Sequence, residues 1–318
     1  MKLKIFKGAG KQTSAKKHKG IKGSTLPMLL FCLPASILIL IFSYLPIPGI
    51  ILAFKDYRFD KGIFGSDWVG LDNFKFFFQS QDAVRVTANT IGYNLVFIVT
   101  VIAGSVLVAL LLNELKSRIS VRIYQTIYFL PYFLSFSVIA YIVYAFLDFD
   151  YGIFNTFLEK IGAEGLLWYN EPKYWRIILP VVHFWKAFGY NAIIFYAGLL
   201  SIDPGYYEAA MLDGANKIQQ AYYITVPHIL SLIITMTILM VGKIFRGDFG
   251  LFFMVPRGAG ALYSATDIID TYVYRALMTS GDVGLSTAIG LFQSVVGLIT
   301  VLASNYCVKK LDSDSAIF

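Results

Sequence analysis

Long apolar blocks alternate with shorter polar segments along this chain. A helix needs roughly 20 apolar residues to cross about 30 Å of hydrocarbon, and six blocks reach that length. They are Leu26–Phe54, Thr90–Asn113, Thr126–Leu147, Ile177–Ile202, Ile224–Phe245 and Gly284–Val308. The apolar residues come in runs, unlike the short alternating segments of a membrane β-barrel. The pattern therefore predicts an all-α polytopic membrane protein with six transmembrane helices.

Composition agrees with this pattern. Of the 318 residues 57% are hydrophobic and 15% are charged, whereas a soluble domain carries about 25% charge. The first block is longer than the roughly 7–15 apolar residues of a signal peptide, so we expect it to be a retained span. The two cysteines, Cys32 and Cys307, both fall in predicted spans and have no disulfide or metal-site spacing.

Basic residues predict the orientation in the membrane, because cytoplasmic loops are enriched in Lys and Arg. The excess lies in three segments that six spans place on one side. These segments are Met1–Lys22, Lys116–Arg122 and Lys309–Lys310. We therefore predict that both termini are cytoplasmic. We divide the chain into a basic tail at residues 1–25, a membrane domain at 26–310 and a short tail at 311–318.

The net charge of +7 comes mostly from the N-terminal tail. Attraction to nucleic acid or anionic lipid is one interpretation of this tail, and a cytoplasmic signal beside the first span is the other. We favour the second and expect no nucleic-acid partner; the partner here is the lipid bilayer.

One polar segment between spans four and five, residues 201–223, has strong helix signals. Asp203 before Pro204 is a good N-cap followed by a proline at the first helical position. Gly214 allows the left-handed turn that ends a helix, and Lys217–Tyr223 can form a second helix. The segment predicts a short helix, a turn and a helix on the cytoplasmic face.

The spacing of residues in this segment resembles a known signature. Glu208-Ala209-Ala210, then Gly214, Ile224, Val226 and Pro227, is similar to the cytoplasmic signature of permease subunits of binding-protein-dependent ABC importers. Val226 stands where leucine is usual. The stretch Trp68–Phe78, "WVGLDNFKFFF", resembles the first external loop of permeases that import sugars and oligosaccharides. The resemblance covers about Leu26–Lys310.

The resemblance implies the type I ABC importer permease fold in a bacterial inner membrane. The segment at residues 201–223 would be the coupling loop, which docks on a cytoplasmic ATPase through Glu208, Ala209, Ala210 and Gly214, with Asp213 nearby. The implied partners are a second homologous permease, two ATPase subunits and a solute-binding protein. ATP and Mg belong to the ATPase subunits, so no cofactor is expected in this chain.

The chain has no convincing nucleotide site of its own. "GAGKQT" at Gly8–Thr13 only partly matches the phosphate-loop pattern, because Ile5 replaces the first glycine and Gln12 replaces the final Ser or Thr. We therefore expect a transport subunit rather than an enzyme, with ATP hydrolysis on a separate chain.

Polar residues inside the spans are candidates for the substrate path, since a charge at mid-membrane costs roughly 2.5–3.5 kcal/mol and usually faces the bundle interior. Lys186 could line a path for a hydroxylated or acidic solute, or could form a structural bond; both interpretations stay open. For His183 we favour a structural role. The further candidates are Asn191, Trp185, Tyr190, Asn94 and Gln293.

Three classes of function make different demands on the sequence. A membrane-embedded enzyme should carry paired acids or His and Asp near a membrane face, and an ion-coupled transporter should carry carboxylates within its spans. The acids of this chain lie in loops, and no metal spacing is present. The sequence therefore favours an ABC importer permease for a neutral or acidic oligosaccharide, with another small solute as the alternative.

Overall fold

The computed structural model describes the backbone of residues 25–311 and the side chains of residues 30–310. The predicted tails, residues 1–25 and 311–318, lie outside the described residues apart from the backbone of Thr25 and Leu311, as does Gly8–Thr13. The chain divides into two compact units, Met1–Gly49 and Ile50–Phe318.

The described chain is almost entirely helical. Its α-helices, in chain order, are α1 (Thr25–Ile39), α2 (Gly62–Gly65), α3 (Asp72–Gln79), α4 (Gln81–Asn113), α5 (Arg118–Phe133), α6 (Phe136–Leu147), α7 (Ile153–Lys160), α8 (Pro172–Leu199), α9 (Pro204–Leu212), α10 (Lys217–Gln220), α11 (Val226–His228), α12 (Leu230–Val241), α13 (Tyr263–Thr266), α14 (Ile269–Met278) and α15 (Val283–Leu311).

The remaining regular structure is short. The 3₁₀ segments are Ile47–Phe54, Trp168–Asn170 and Gly260–Leu262, and the π-helical turns are Leu40–Tyr44, Ala221–Thr225 and Gly250–Met254. Two strands, β1 (Lys55–Asp56) and β2 (Asp67–Trp68), pair antiparallel. The buried Lys55 donates from Nζ to the carbonyls of Ile63 and Phe64, 3.0 and 2.8 Å away, and so holds the connection between the strands.

Four described helical segments are long and apolar enough to cross a membrane, and the number rises to six if each of two bent helix pairs is one span. The bent pairs are α5 with α6, at 99°, and the α10–α11 segment with α12, at 61°. Every predicted block overlaps one of these segments. The second span begins earlier than the predicted Thr90, because Ser80 caps α4 by accepting from the N–H of Ala83 at 3.2 Å.

Helices α4 and α8 pack closely along their length. Gly104 of α4 leaves no room for a side chain, because an added Cβ would overlap the ring of Phe184 on α8. One residue further, Ser105 donates to the carbonyl of Phe188 at 2.9 Å. Small and hydroxyl residues thus bring the two long helices together, as is common between membrane helices.

The largest apolar cluster joins α4, α6, α8 and the segment between α12 and α14. Its fully buried side chains include Trp175 and Leu179 of α8, Ile139 of α6 and Leu251. Trp175 donates its indole N–H to the carbonyl of Trp168 at 2.8 Å, which satisfies the polar atom of this buried ring. The cluster fixes α6 against α8 and so positions the helix break that precedes α6.

A buried ionic network joins α4 to α14. The carboxylate of Asp267 has no exposed surface and accepts from both terminal nitrogens of Arg275 at 2.7 Å. The same carboxylate accepts from Thr271 at 2.8 Å and from Arg85 of α4 at 3.3 Å. Because all partners converge on one buried group, removing its charge affects both helices.

We predict that Asp267→Asn lowers the stability of the folded chain by about 3 kcal/mol, the usual cost of breaking a buried ion pair. An amide nitrogen at this place would face a guanidinium donor. The measurement is the thermal unfolding midpoint in detergent. The control is Asp60→Asn, whose exposed pair with Arg58 is worth about 0–1 kcal/mol. Equal midpoints for the two variants would contradict the structural role of the network.

Candidate functional site

The segment predicted to be a coupling loop forms two short helices with well-made ends. Asp203 caps α9 by accepting from the N–H of Gly205 at 2.9 Å, and Pro204 is its first residue. At the other end the N–H of Ala215 donates to the carbonyl of Ala210 at 2.9 Å, and that of Gly214 to Met211 at 3.1 Å. This is the Schellman arrangement, which requires the left-handed φ of 81° at Gly214.

The second helix, α10, starts directly after this turn. Asn216 and Gln219 form a capping box, each side chain accepting from the other's backbone N–H at 2.9 and 2.8 Å. Every end of the helix-turn-helix unit is therefore satisfied by local hydrogen bonds. These hydrogen bonds contribute to the stability of the unit within the isolated subunit.

Three contacts fasten this unit to the membrane helices. The hydroxyl of Tyr207 lies 3.1 Å from that of Thr225, at the entrance to α11. Lys217 forms a 3.0 Å ion pair with Glu114, which follows the end of α4. The Tyr207 ring also packs against an apolar cluster that joins α4 and α8. A displacement of α9 is thereby linked mechanically to three membrane helices.

The outer face of the unit is left open. Glu208, Ala209 and Asp213 are exposed, and Ala210 is half-buried. Within residues 30–310 the carboxylate of Glu208 has no hydrogen bond or ion pair. Apolar side chains are exposed beside it, including Leu212 at 89% and Ile218 at 80% of their surface. An exposed apolar patch around an unpaired acid and small residues is typical of a protein-binding surface.

Lys186 lies at the break between α5 and α6. Its ammonium donates to three backbone carbonyls there, those of Pro131, Tyr132 and Leu134, the second at 3.0 Å. Its charge also lies 4.9 Å from the centre of the Phe136 ring. The chain turns by 99° at this point, where the regular hydrogen bonds of α5 end; the Pro131 carbonyl also accepts from the N–H of Leu134 at 3.2 Å. The contacts of Lys186 therefore favour the structural interpretation over direct binding of a solute.

Asn94 and Gln293 meet at a second irregular segment, which follows α12. The amide of Asn94 donates to the carbonyls of Ile244 and Arg246, each at 3.0 Å. The amide of Gln293 donates to the carbonyl of Phe245 between them, and to Asp270 at 3.0 Å. The structure thus brings two predicted path residues together, and both satisfy backbone carbonyls.

The other predicted path residues of α8 differ in their surroundings. His183 stacks on Phe97 of α4 at 3.8 Å, and Asn191 is buried and donates to its own helix at Ala187. Both are packing residues in this arrangement. Trp185 is partly exposed, as is Tyr190, which stacks on Tyr132 with the ring centres 4.6 Å apart.

Tyr132 was not among the residues predicted from the sequence, and neither was the cluster of residues around Arg257. A cavity of 320 Å³ is lined by Arg257 with Tyr144, Asp148 and several aromatic residues, and a second of 180 Å³ lies on its other side. The signal available in the sequence was Pro256-Arg257-Gly258, a turn that places a cation beside the aromatic loop at 154–175. Among residues 30–310 no three His, Cys, Asp or Glu side chains form a metal site.

Comparison with known proteins gives consistent matches. A family described as "Binding-protein-dependent transport system inner membrane component" matches residues 98–313. Protein LplB of Bacillus subtilis is 34% identical, with 90% of both chains covered. The polygalacturonan/rhamnogalacturonan transport system permease protein YteP of the same organism is 32% identical, with 90% of this chain and 89% of that protein covered.

A solved structure matches nearly the whole fold. It is the crystal structure of a bacterial ABC transporter involved in the import of the acidic polysaccharide alginate. The matching chain is 30% identical, has a TM-score of 0.82 and covers 90% of this chain and 96% of its own.

Gly189 determines how closely α8 approaches α5 beside Lys186 and Tyr190. An added Cβ there would overlap the carbonyl group of Tyr128 and lie 3.1 Å from the backbone nitrogen of Phe129. We predict that Gly189→Ala destabilises the chain, because backbone atoms cannot move aside as a flexible side chain can. The measurement is the unfolding midpoint in detergent.

Gly92→Ala is the matched control, since Gly92 also lies within a long helix but has no atom within 4 Å of an added Cβ. Alanine there should stabilise the helix by roughly 0.5–1 kcal/mol. A tolerated Gly189→Ala would show that α5 and α8 do not pack as described.

Proposed function

Because this chain belongs to the inner membrane components of binding-protein-dependent transport systems, we propose that it forms half of the translocation path of an ATP-driven importer of oligosaccharides. The chain is a permease subunit, a transport component rather than an enzyme. The observation that carries the proposal further is the exposed, locally stabilised unit α9–α10, which carries the Glu208-Ala209-Ala210 sequence on its open face.

We assign an acidic oligosaccharide as the substrate class. YteP is named for polygalacturonan and rhamnogalacturonan transport, and the structural match belongs to a transporter of the acidic polysaccharide alginate. Galacturonate and alginate units each carry a carboxylate and several hydroxyls. A path for them needs hydrogen-bonding groups, aromatic faces and cations, and this chain has all three next to α6.

For coupling, we assign Glu208, Ala209, Ala210, Asp213 and Gly214 to the contact with an ATPase subunit. The small residues let a partner approach the backbone of α9, and Glu208 is free to bind a donor on that partner. ATP and Mg would be held by the two ATPase subunits. Closure of the ATPase dimer would then move α9, and the contacts of Tyr207 and Lys217 would transmit the movement as a rigid body.

The topology we propose counts each bent pair as one span, which gives six. The basic segments then place both termini and α9–α10 in the cytoplasm and the membrane domain, residues 26–310, in the bacterial inner membrane. A second homologous permease would complete the path, and a solute-binding protein would deliver the sugar to the outer face.

For the path itself, we assign Tyr190 and Trp185 of α8 as the groups that face the solute, together with Tyr132 at the break. The stacked rings of Tyr190 and Tyr132 are partly exposed and flat, which suits the apolar face of a sugar ring. The remaining candidates would position this surface. They are Lys186, His183, Asn191, Asn94 and Gln293.

The direct test is import of labelled oligogalacturonide trimer into proteoliposomes. They contain this permease with its partner permease, ATPase and binding protein. We expect uptake that requires ATP and the binding protein. Uptake without ATP, or no uptake of this or any neutral oligosaccharide, would contradict the proposed function.

We predict that Glu208→Ala uncouples the importer while the chain still folds and inserts, because the exposed Glu208 carboxylate has no hydrogen bond or ion pair within residues 30–310. The measurements are stimulation of ATPase activity by the loaded binding protein, and import. Glu159→Ala is the control, since Glu159 is likewise an exposed acid on a short helix, α7. Normal import by Glu208→Ala would remove this residue from the coupling contact.

Gly214→Val should have the same effect for a different reason. Gly214 and Gly281 both have left-handed φ, 81° and 66°, and neither has an atom within 4 Å of an added Cβ. Gly281→Val therefore introduces the same backbone strain at a position outside the proposed docking surface. We expect only the change at Gly214 to abolish coupling, and equal losses in the two variants would attribute the effect to strain alone.

Lys186→Met tests whether that cation binds the solute or holds the helix break. The contacts with three carbonyls lead us to expect equal loss of import for an acidic and a neutral oligosaccharide, with a lower unfolding midpoint. A selective loss of the acidic oligosaccharide, with unchanged stability, would show that Lys186 binds the carboxylate.

A further inference from the structure

We propose that Arg257 and the aromatic residues around it form a subsite for the carboxylate of an acidic sugar, separate from Lys186 and the break between α5 and α6. This inference rests on the proposed import of oligosaccharides and adds the place where the acidic group is recognised. The subsite consists of Arg257, Tyr144, Trp168, Tyr169 and Asn170, which line the cavity of 320 Å³. We call it the Arg257 cavity.

The position of the Arg257 side chain depends on a backbone conformation that arginine rarely adopts. Arg257 has a φ of 58°, the one left-handed value among non-glycine residues of the described chain. The conformation is closed by hydrogen bonds from Arg257 N–H to Met254 and from Gly258 N–H to Phe253, at 3.1 and 3.2 Å. A left-handed arginine costs about 1–2 kcal/mol relative to glycine, and such strain is concentrated at functional positions.

The guanidinium group interacts with Tyr144 and, at longer range, with the charge of Asp148. It lies 4.1 Å from the centre of the Tyr144 ring, and within residues 30–310 it forms no ion pair. Asp148 is the nearby acid, and its carboxylate already accepts from the N–H groups of Asp150 and Tyr151, at 3.1 and 2.9 Å. Arg257 therefore keeps donors for a ligand, and its planar fork suits a carboxylate.

The other walls of the cavity suit a sugar. Trp168 and Tyr169 supply aromatic faces, and Asn170 supplies an exposed amide. The hydroxyl of Tyr169 is buried and has no hydrogen-bond partner among the described residues. Burial raises the pKa of Tyr169 to about 12, so the hydroxyl stays protonated and can donate. An unpaired donor beside an unpaired cation indicates a polar ligand.

A polar face of α6 connects this cavity with the break at the other end of the helix. Ser137, Tyr141, Tyr144 and Asp148 recur at intervals of four, three and four residues, and so share one side of α6. Ser137 and Tyr141 line the second cavity of 180 Å³, which Arg257 also borders. The stripe starts beyond Leu134, whose carbonyl binds Lys186. Polar side chains along α6 thus lead from Arg257 toward the break where Tyr132 stacks on Tyr190.

This face is unsuited to lipid. A charged arginine in hydrocarbon costs roughly 2.5–3.5 kcal/mol on insertion scales, and the face also exposes a serine and an acid. The alternative is that the second permease covers this face of α6 and that one of its carboxylates pairs with Arg257. That contact would stabilise the pair whatever the solute, which separates it experimentally from a sugar subsite.

The experiment uses the complete importer in proteoliposomes and two probes, oligogalacturonide trimer and the same trimer with its carboxylates methyl-esterified. Arg257→Gln removes the charge. We expect its KM for the acidic trimer to rise about tenfold more than its KM for the ester, the effect of losing a charged hydrogen bond. Arg257→Lys should retain part of the affinity, because it keeps the charge without the planar fork.

Arg257→Gly separates binding from backbone strain. Glycine adopts the left-handed turn freely, so a purely structural residue would be replaced without loss. We expect Arg257→Gly to lose affinity for the acidic trimer as Arg257→Gln does, with an unchanged or higher unfolding midpoint. Arg58→Gln is the control for loss of a positive charge, since Arg58 is an exposed arginine outside both cavities. The importer with this change should take up both probes normally.

Several results would overturn the proposal. Equal losses for both probes in Arg257→Gln would indicate a contact with the second permease, and normal import of the acidic trimer by Arg257→Gly would indicate a turn residue. Import of the ester alone by the unaltered importer would exclude an acidic subsite. If the unaltered importer takes up neither probe, the proposed import of oligosaccharides fails as well. Import of the ester alone would remove only the acidic substrate class, and the other two results leave the proposed function unchanged.

Discussion

Backbone carbonyls at broken membrane helices must find donors, and the arrangement of this chain depends on how that requirement is met. An unpaired backbone group in hydrocarbon costs several kcal/mol, so irregular backbone persists only where protein groups satisfy it. Lys186 of α8 donates hydrogen bonds to the carbonyls at the break between α5 and α6. Asn94 and Gln293 donate to the carbonyls of the segment after α12. The polar residues of the long helices therefore allow the α5–α6 span to bend and the chain after α12 to leave the helical conformation.

This requirement also decides what can move as a unit. The long helices α4 and α8 are closely packed, since Gly104 of α4 lets the Phe184 ring of α8 approach its backbone, and Gly189 brings α8 equally close to the backbone of α5. Of the bent helices, α5 and α6 pack directly on α8, whereas the α9–α10 unit is attached through Tyr207 and Lys217. A force applied at α9 would thus act on closely packed helices. The movement would be taken up at the helix breaks, because small rotations of the backbone cost least there.

Much of this could be predicted from the sequence, because it depends on local chemistry. The six apolar blocks, the Asp203 cap, the turn at Gly214 and the family itself follow from runs and spacings, and the family prediction is confirmed. The break at Leu134 was missed because the apolar run continues through it, although Pro131 and the capping Ser135 mark the place. The partners of Lys186 lie more than 50 residues away, so no spacing rule could have revealed them.

The same distinction bears on how an acidic solute would be recognised. A sequence shows that Lys186 and Arg257 are cations but not which of them has donors to spare. In the folded chain the ammonium of Lys186 is surrounded by carbonyls, while the guanidinium of Arg257 lies on an aromatic ring and borders two cavities. A cation that already satisfies backbone carbonyls gains little by exchanging them for a carboxylate, whereas one that faces open volume gains a full charged hydrogen bond. Recognition of charge is therefore better assigned to the end of α6 at Arg257, and the break at its other end is left to position the sugar rings.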